Sequence, residues 1–66
     1  MEIFINRTPV QVETHATLAQ VMAAEGLDGP GVAVAVDQRV VPRGQWETLQ
    51  LEAGIRLTVI RAVCGG

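Results

Sequence analysis

One stretch of this chain has the period of a helix, and it is short. Leu18, Val21, Met22 and Glu25 fall at i, i+3, i+4 and i+7, a mostly apolar stripe that ends polar. Thr17, with Gln20 three residues on, predicts a capping box in which hydroxyl and amide each satisfy an orphan backbone N–H. Gly26 stands where a left-handed C-cap belongs. The result is about two turns, and a helix of that length does not hold by itself in water. It must lie on something, so the rest of the chain has to supply a sheet.

The remaining apolar residues come in short, β-branched runs. Ile3, Phe4 and Ile5 precede Asn6-Arg7-Thr8-Pro9, and Val10 and Val12 follow, which reads as a hairpin around a loop. After Asp28-Gly29-Pro30-Gly31 comes Val32–Val36. Then follow a turn at Asp37-Gln38-Arg39, a very short strand Val40-Val41, and Pro42 as its stop. Arg43 to Gln50 is polar around Trp46 and Leu49 and predicts one irregular or short helical turn. Glu52-Ala53-Gly54 turns into Ile55–Arg61, the longest strand. The order is ββ, α, β, β, β. It predicts an α+β fold in which a small mixed sheet is covered on one face by one main helix, the β-grasp arrangement. Residues 1–66 read as a single domain, with 62–66 a flexible Gly-Gly tail.

Strand parity shows what the other face carries. If Val32, Val34, Val36, Ile55, Leu57, Val59, Ile3 and Ile5 turn toward the helix, then Phe4, Ala33, Ala35, Arg56, Thr58 and Ile60 turn away. Phe4, Ile60, Ala33 and Ala35, edged by Arg56, then form a modest apolar area on the uncovered face. Such surface often marks an interaction site, and a docking role is expected there.

A chain of 66 residues buries only ~60% of its unfolded surface, and this one has no staple. Its single Cys, Cys64, closes no internal disulfide, and one Cys with one His makes no four-ligand zinc site. A [2Fe–2S] centre needs four cysteines. No resident metal or cofactor is expected. Net charge is −2, which gives no field to recruit nucleic acid or an anionic membrane. Lys is absent, so the chain offers no lysine for an isopeptide or Schiff-base bond. The N-terminus shows no signal-peptide succession, and the longest apolar run, Val32–Val36, is far short of the ~20 residues that span a bilayer. A soluble, cytoplasmic protein is expected, and the lone thiol suits a reducing compartment.

Nothing here predicts autonomous catalysis. His15 lies in the loop before the helix, without a triad partner, and reads as solvated. Glu47 with Glu52, and Glu25 with Asp28, sit at element ends, on a domain too small for a deep cleft around them. Gly29-Pro30-Gly31 leads into a strand, the wrong context for a phosphate loop. Trp46 reads as a core or lid residue whose indole N–H finds a carbonyl. Arg43 is placed to stack on it or to meet an acid of a partner. The tail remains. Two terminal glycines order poorly, so Gly65-Gly66 is either inert or an arm whose end matters.

The stretch Val40-Val41-Pro42-Arg43-x-x-Trp46, joined to Gly65-Gly66, resembles the ThiS family of sulfur carrier proteins, and the likeness runs along the whole chain. The resemblance implies a ubiquitin-like β-grasp carrier of thiamine biosynthesis, not an enzyme but a co-substrate of its partners. The Gly66 carboxylate would be adenylated by a ThiF-type activating enzyme. It would then become a thiocarboxylate through a sulfur donor such as a cysteine desulfurase, and give its sulfur to thiazole synthase (ThiG). ATP and its magnesium would belong to the activating enzyme. Gly65 would give the arm its freedom, and the open-face residues with Cys64 would meet the partners. Cys64 stands where small residues are usual, and its thiol is read as taking the acyl group, joining a mixed disulfide or doing nothing. A MoaD-like carrier for molybdopterin synthesis and a ubiquitin-like protein modifier share the tail chemistry and stay open as alternatives.

Overall fold

A computed structural model describes residues 1–61; the expected flexible tail, 62–66, with Cys64, Gly65 and Gly66, lies outside the described residues. Strands β1 (Glu2–Ile5), β2 (Thr8–Gln11), β3 (Val32–Val36), β4 (Arg39–Val40) and β5 (Arg56–Arg61) form one five-stranded sheet in the order β2-β1-β5-β3-β4. β1 runs parallel to β5, and the other pairings are antiparallel. Helix α1 (Leu18–Ala24) covers one face. This is the ubiquitin-like β-grasp that the element order predicts.

The helix ends are sealed by the devices the sequence shows. Thr17 Oγ1 accepts from the Gln20 amide at 3.2 Å, and the Gln20 side chain accepts from the Thr17 amide at 2.9 Å. At the far end Gly26 takes φ +70°. The Leu27 N–H donates to the Met22 carbonyl at 2.7 Å and the Gly26 N–H to the Ala23 carbonyl at 3.1 Å, closing a Schellman motif. The two remaining orphan donors of the first turn find the loop beyond β4. Leu18 N–H reaches the Leu49 carbonyl at 2.8 Å, and Ala19 N–H the Trp46 carbonyl at 2.9 Å.

The stripe of Leu18, Val21 and Met22 is buried against Ile3, Ile5, Val32, Val34 and Leu57, with Ala16, Trp46 and Leu51 closing the core. Val36, Ile55 and Val59 face the same way but are only half-buried. Parity therefore holds on every strand it was applied to.

Both hairpin turns are shorter than the sequence reading makes them. The first is Asn6-Arg7 alone, at φ 49° and 71°, so Thr8 and Pro9 belong to β2, paired with Ile5 and Phe4. Pro9 is tolerated because β2 is an edge. The second is Asp37-Gln38, at φ 48° and 72°, so β4 is Arg39–Val40 rather than Val40-Val41. Two residues with positive φ are the hairpin turn whose twist matches the strands. Neither position has the usual Gly, which hides the turn from a composition-based reading. Asn6 adds a contact that no pattern predicts. Its side-chain amide meets the Val59 backbone twice, accepting from N–H at 2.8 Å and donating to the carbonyl at 3.2 Å. The side chain thus continues the β1–β5 ladder after β1 has turned away.

Candidate functional site

The face without a helix draws on all five strands, and the register says which residues meet. Phe4 lies beside Arg56 on β5 and Pro9 on β2. Ala35 is flanked by Thr58 and by Val40, and Ala33 faces Ile60. Ile60 is four residues along β5 from Arg56, or about 13 Å at strand rise. The predicted residues therefore share one face but form two groups, Phe4 with Arg56 and Ile60 with Ala33, bridged by Thr58 and Ala35.

Exposure differs between them. Ile60 is 62% exposed, whereas Phe4 and Ala35 are half-buried and Ala33 and Arg56 are exposed. Phe4 lines an open depression around the first half of β5, together with Arg7, Asp37, Arg56 and Thr58. Two guanidiniums and one carboxylate thus line the same depression as the aromatic ring.

Val40, at 72% exposure, is a large apolar residue on this face that the sequence reading missed. Its pairing with Ala35 puts it on the same side as Ile60. The signal was present, since a two-residue turn at Asp37-Gln38 fixes that pairing by counting. A three-residue turn removes it.

The other end of β5 leads into residues 62–66. Arg61 pairs with Val32, the first residue of β3, directly after the Asp28–Gly31 turn. Arg43, in the 3₁₀ turn Arg43–Gln45, donates from one guanidinium nitrogen to the Asp28 carbonyl at 2.7 Å and from the other to the Gly29 carbonyl at 2.6 Å. Arg43 also lies over the Trp46 ring, 4.3 Å from its centroid. Trp46 is 3% exposed and its Nε1–H donates to the Val41 carbonyl at 3.0 Å, as a lid residue should. The stretch from Val40 to Trp46 is thereby tied to the turn that leads into β3.

His15 is exposed in its loop, at φ 68°. Among the described residues no cluster of three or more His, Cys, Asp or Glu is placed to hold a metal, and no helix is long and apolar enough to cross a membrane.

Comparison with known proteins gives the same picture. The chain is 26% identical to the sulfur carrier protein ThiS of Escherichia coli (strain K12) over 66 residues, all of both chains. Its fold matches the crystal structure of the thiamine biosynthesis protein ThiS from Geobacter metallireducens at a TM-score of 0.83 with 17% identity, again over the full length of both. The ThiS family model matches residues 2–66. With the β-grasp sheet, the Val40–Trp46 unit and this end-to-end match together, the chain belongs to the ThiS family, the sulfur carriers of thiamine biosynthesis.

Proposed function

We propose that this protein carries sulfur on the α-carboxylate of Gly66 for thiazole ring formation. The observation that carries the reading is the end-to-end family match, in which Gly65-Gly66 falls at the end of the matched region, residues 2–66. A carboxylate is a poor acyl donor. In the proposed scheme a carboxylate oxygen attacks the α-phosphorus of ATP on a ThiF-type activating enzyme, and pyrophosphate leaves. Two thiols of a reductant release hydrosulfide from the persulfide of a sulfur donor such as a cysteine desulfurase, leaving a disulfide; the hydrosulfide then attacks the acyl carbon and AMP leaves. The thiocarboxylate so formed hands its sulfur to thiazole synthase (ThiG). ATP and magnesium act in the activating enzyme's site.

Chemistry at the chain end suits glycine, whose missing Cβ lets another enzyme's backbone approach closely. The folded part then supplies recognition. The open face with Phe4, Arg56, Ala33, Ala35 and Ile60 is proposed as the docking surface, and Val40 joins it. Cys64 has no step in this scheme.

Incubation with activating enzyme, ATP and sulfur donor should replace one oxygen of the protein by sulfur, read by intact mass and placed at Gly66 by fragmentation. Deleting Gly66 should abolish the product and leave the unfolding midpoint unchanged. A carrier that stays unmodified in the complete system, or a deletion variant that is still thiolated, overturns the reading. Transfer to thiazole synthase, and not to a molybdopterin-forming partner, separates the two carrier alternatives.

A further inference from the structure

The sulfur-transfer scheme gives Arg43 and Trp46 no task, yet they make the most elaborate side-chain arrangement in the described residues. The Trp46 indole is a fixed platform. Its N–H is held by the Val41 carbonyl at 3.0 Å, and its own carbonyl accepts from Ala19 in the first turn of α1 at 2.9 Å. The Arg43 guanidinium carbon lies over the ring, 4.3 Å from its centroid and within cation–π range. From that platform it donates at 2.7 Å to Asp28 and at 2.6 Å to Gly29, with a longer contact of 3.4 Å to the Val32 carbonyl.

What Arg43 grips is the segment least able to hold itself. Asp28-Gly29-Pro30-Gly31 has two glycines, one at φ +78°, and leads straight into β3. Among the described residues no other donor reaches the Asp28 or Gly29 carbonyls. Val32, the next residue and the first of β3, pairs with Arg61, the last of the described residues. Unclamped, this is the end of the β3–β5 ladder from which fraying would start.

We propose that Arg43, seated on Trp46, is a positioning residue that fixes the end of the β3–β5 ladder, so that the segment after Arg61 starts from a defined point. The inference rests on the carrier reading above. Five residues fully extended reach at most ~17 Å, and each ladder pair lost moves the root by about 3.3 Å. Small displacements of a reacting group reduce rate steeply. A drifting root therefore lowers the rate of the chemical step, while docking through Phe4 and Arg56, at the far end of β5, is untouched.

The test uses full-length Arg43→Ala and Arg43→Lys, with Val21→Ala as a control that loses stability under the helix instead. Amide exchange at Ala33 and Ile60, the first pair inside the clamped end, should quicken about tenfold in Arg43→Ala, with Val36 and Leu57 unchanged. In thiocarboxylate formation, kcat should fall on the order of tenfold at unchanged KM. Arg43→Lys should recover part of this, because an ammonium lacks the fork that meets two carbonyls at once, and it keeps the test open should the Ala variant not fold. An unchanged kcat with active wild type overturns the proposal and leaves the carrier reading standing. A rise in KM alone assigns Arg43 to partner docking, and an equal kcat loss in Val21→Ala assigns the effect to general stability; either result overturns it. Wild type that yields no thiocarboxylate removes the carrier reading, and the clamp's role with it.

Discussion

The two faces of this sheet are built from the same strands and follow opposite rules. Toward α1, residues Ile3, Ile5, Val32, Val34 and Leu57 are buried, and the helix returns Leu18, Val21 and Met22. On the other side Phe4 and Ala35 are half-buried, Ala33, Arg56 and Thr58 are exposed, and Ile60 and Val40 stand 62% and 72% exposed. Because the side-chain period is two, a slip of one residue would exchange the faces. Burial of one face thus fixes the register of both, and leaves the open face free to be chosen for something other than stability. Alanine, a weak strand former, occupies both positions on the open side of β3 and none on its covered side. Substitutions on the two sides should therefore separate: stability lost on one, recognition lost on the other.

The largest expected effect is on the covered face. Leu18→Ala should cost about 2–5 kcal/mol, since Leu18 is fully buried and the short helix and sheet leave little that can collapse into the gap. Against the ~5–15 kcal/mol typical of a whole domain, this brings the protein near its threshold, and urea unfolding should show the midpoint fall. A loss below about 1 kcal/mol would mean that the helix–sheet contact does not carry the fold.

A smaller loss is expected at the seam between the faces. Asn6→Ala removes two bonds to Val59 and places a Cβ-bearing residue without the Asn amide at φ 49°. Together these should cost roughly 1–3 kcal/mol. Asn6→Gly keeps the turn and loses only the amide, so it should recover part of the loss. If Gly is as stable as Asn, the side-chain ladder contributes nothing and the turn geometry is the whole effect.

How far the sequence reaches follows the same division. The covered face was legible because burial writes a strong period: Leu18, Val21 and Met22 in the helix and alternate residues in β1, β3 and β5. Capping chemistry was legible too, because Thr17, Gln20 and Gly26 satisfy local backbone groups within a few residues. The turns at Asn6-Arg7 and Asp37-Gln38 were not, because their positive φ is carried without glycine and is imposed by the strands they join. The missed turn hid Val40, whose face depends on that count. The Arg43 grip on Asp28 and Gly29 and the Asn6 bond to Val59 join residues far apart in sequence, and only the folded chain brings them together. Of the proposed site, sequence supplied the face and the tail, and structure supplied the arrangement of residues on the face.

The sharpest test of the two-face comparison is the substitution with the smallest structural effect, Phe4→Asp. Phe4 is half-buried on the open side, so the change removes part of one aromatic contact and leaves the helix-side core untouched. The new carboxylate sits in register with Arg56 and beside the Arg7 end of the depression. Exposed pairs of this kind contribute about 0–1 kcal/mol, which offsets some of the lost burial, so the unfolding midpoint should shift by only a few degrees, at the ~4–8 °C per kcal/mol of a domain this size. Binding should respond much more. Aromatic residues at the centre of an interface commonly cost more than 1 kcal/mol when removed, and a charge left facing an apolar partner surface adds to that. Affinity for the activating enzyme, measured by calorimetry, should therefore fall by about tenfold or more. Unchanged affinity would remove Phe4 from the docking face, and a midpoint drop as large as that of Leu18→Ala would show that the open face belongs to the core after all.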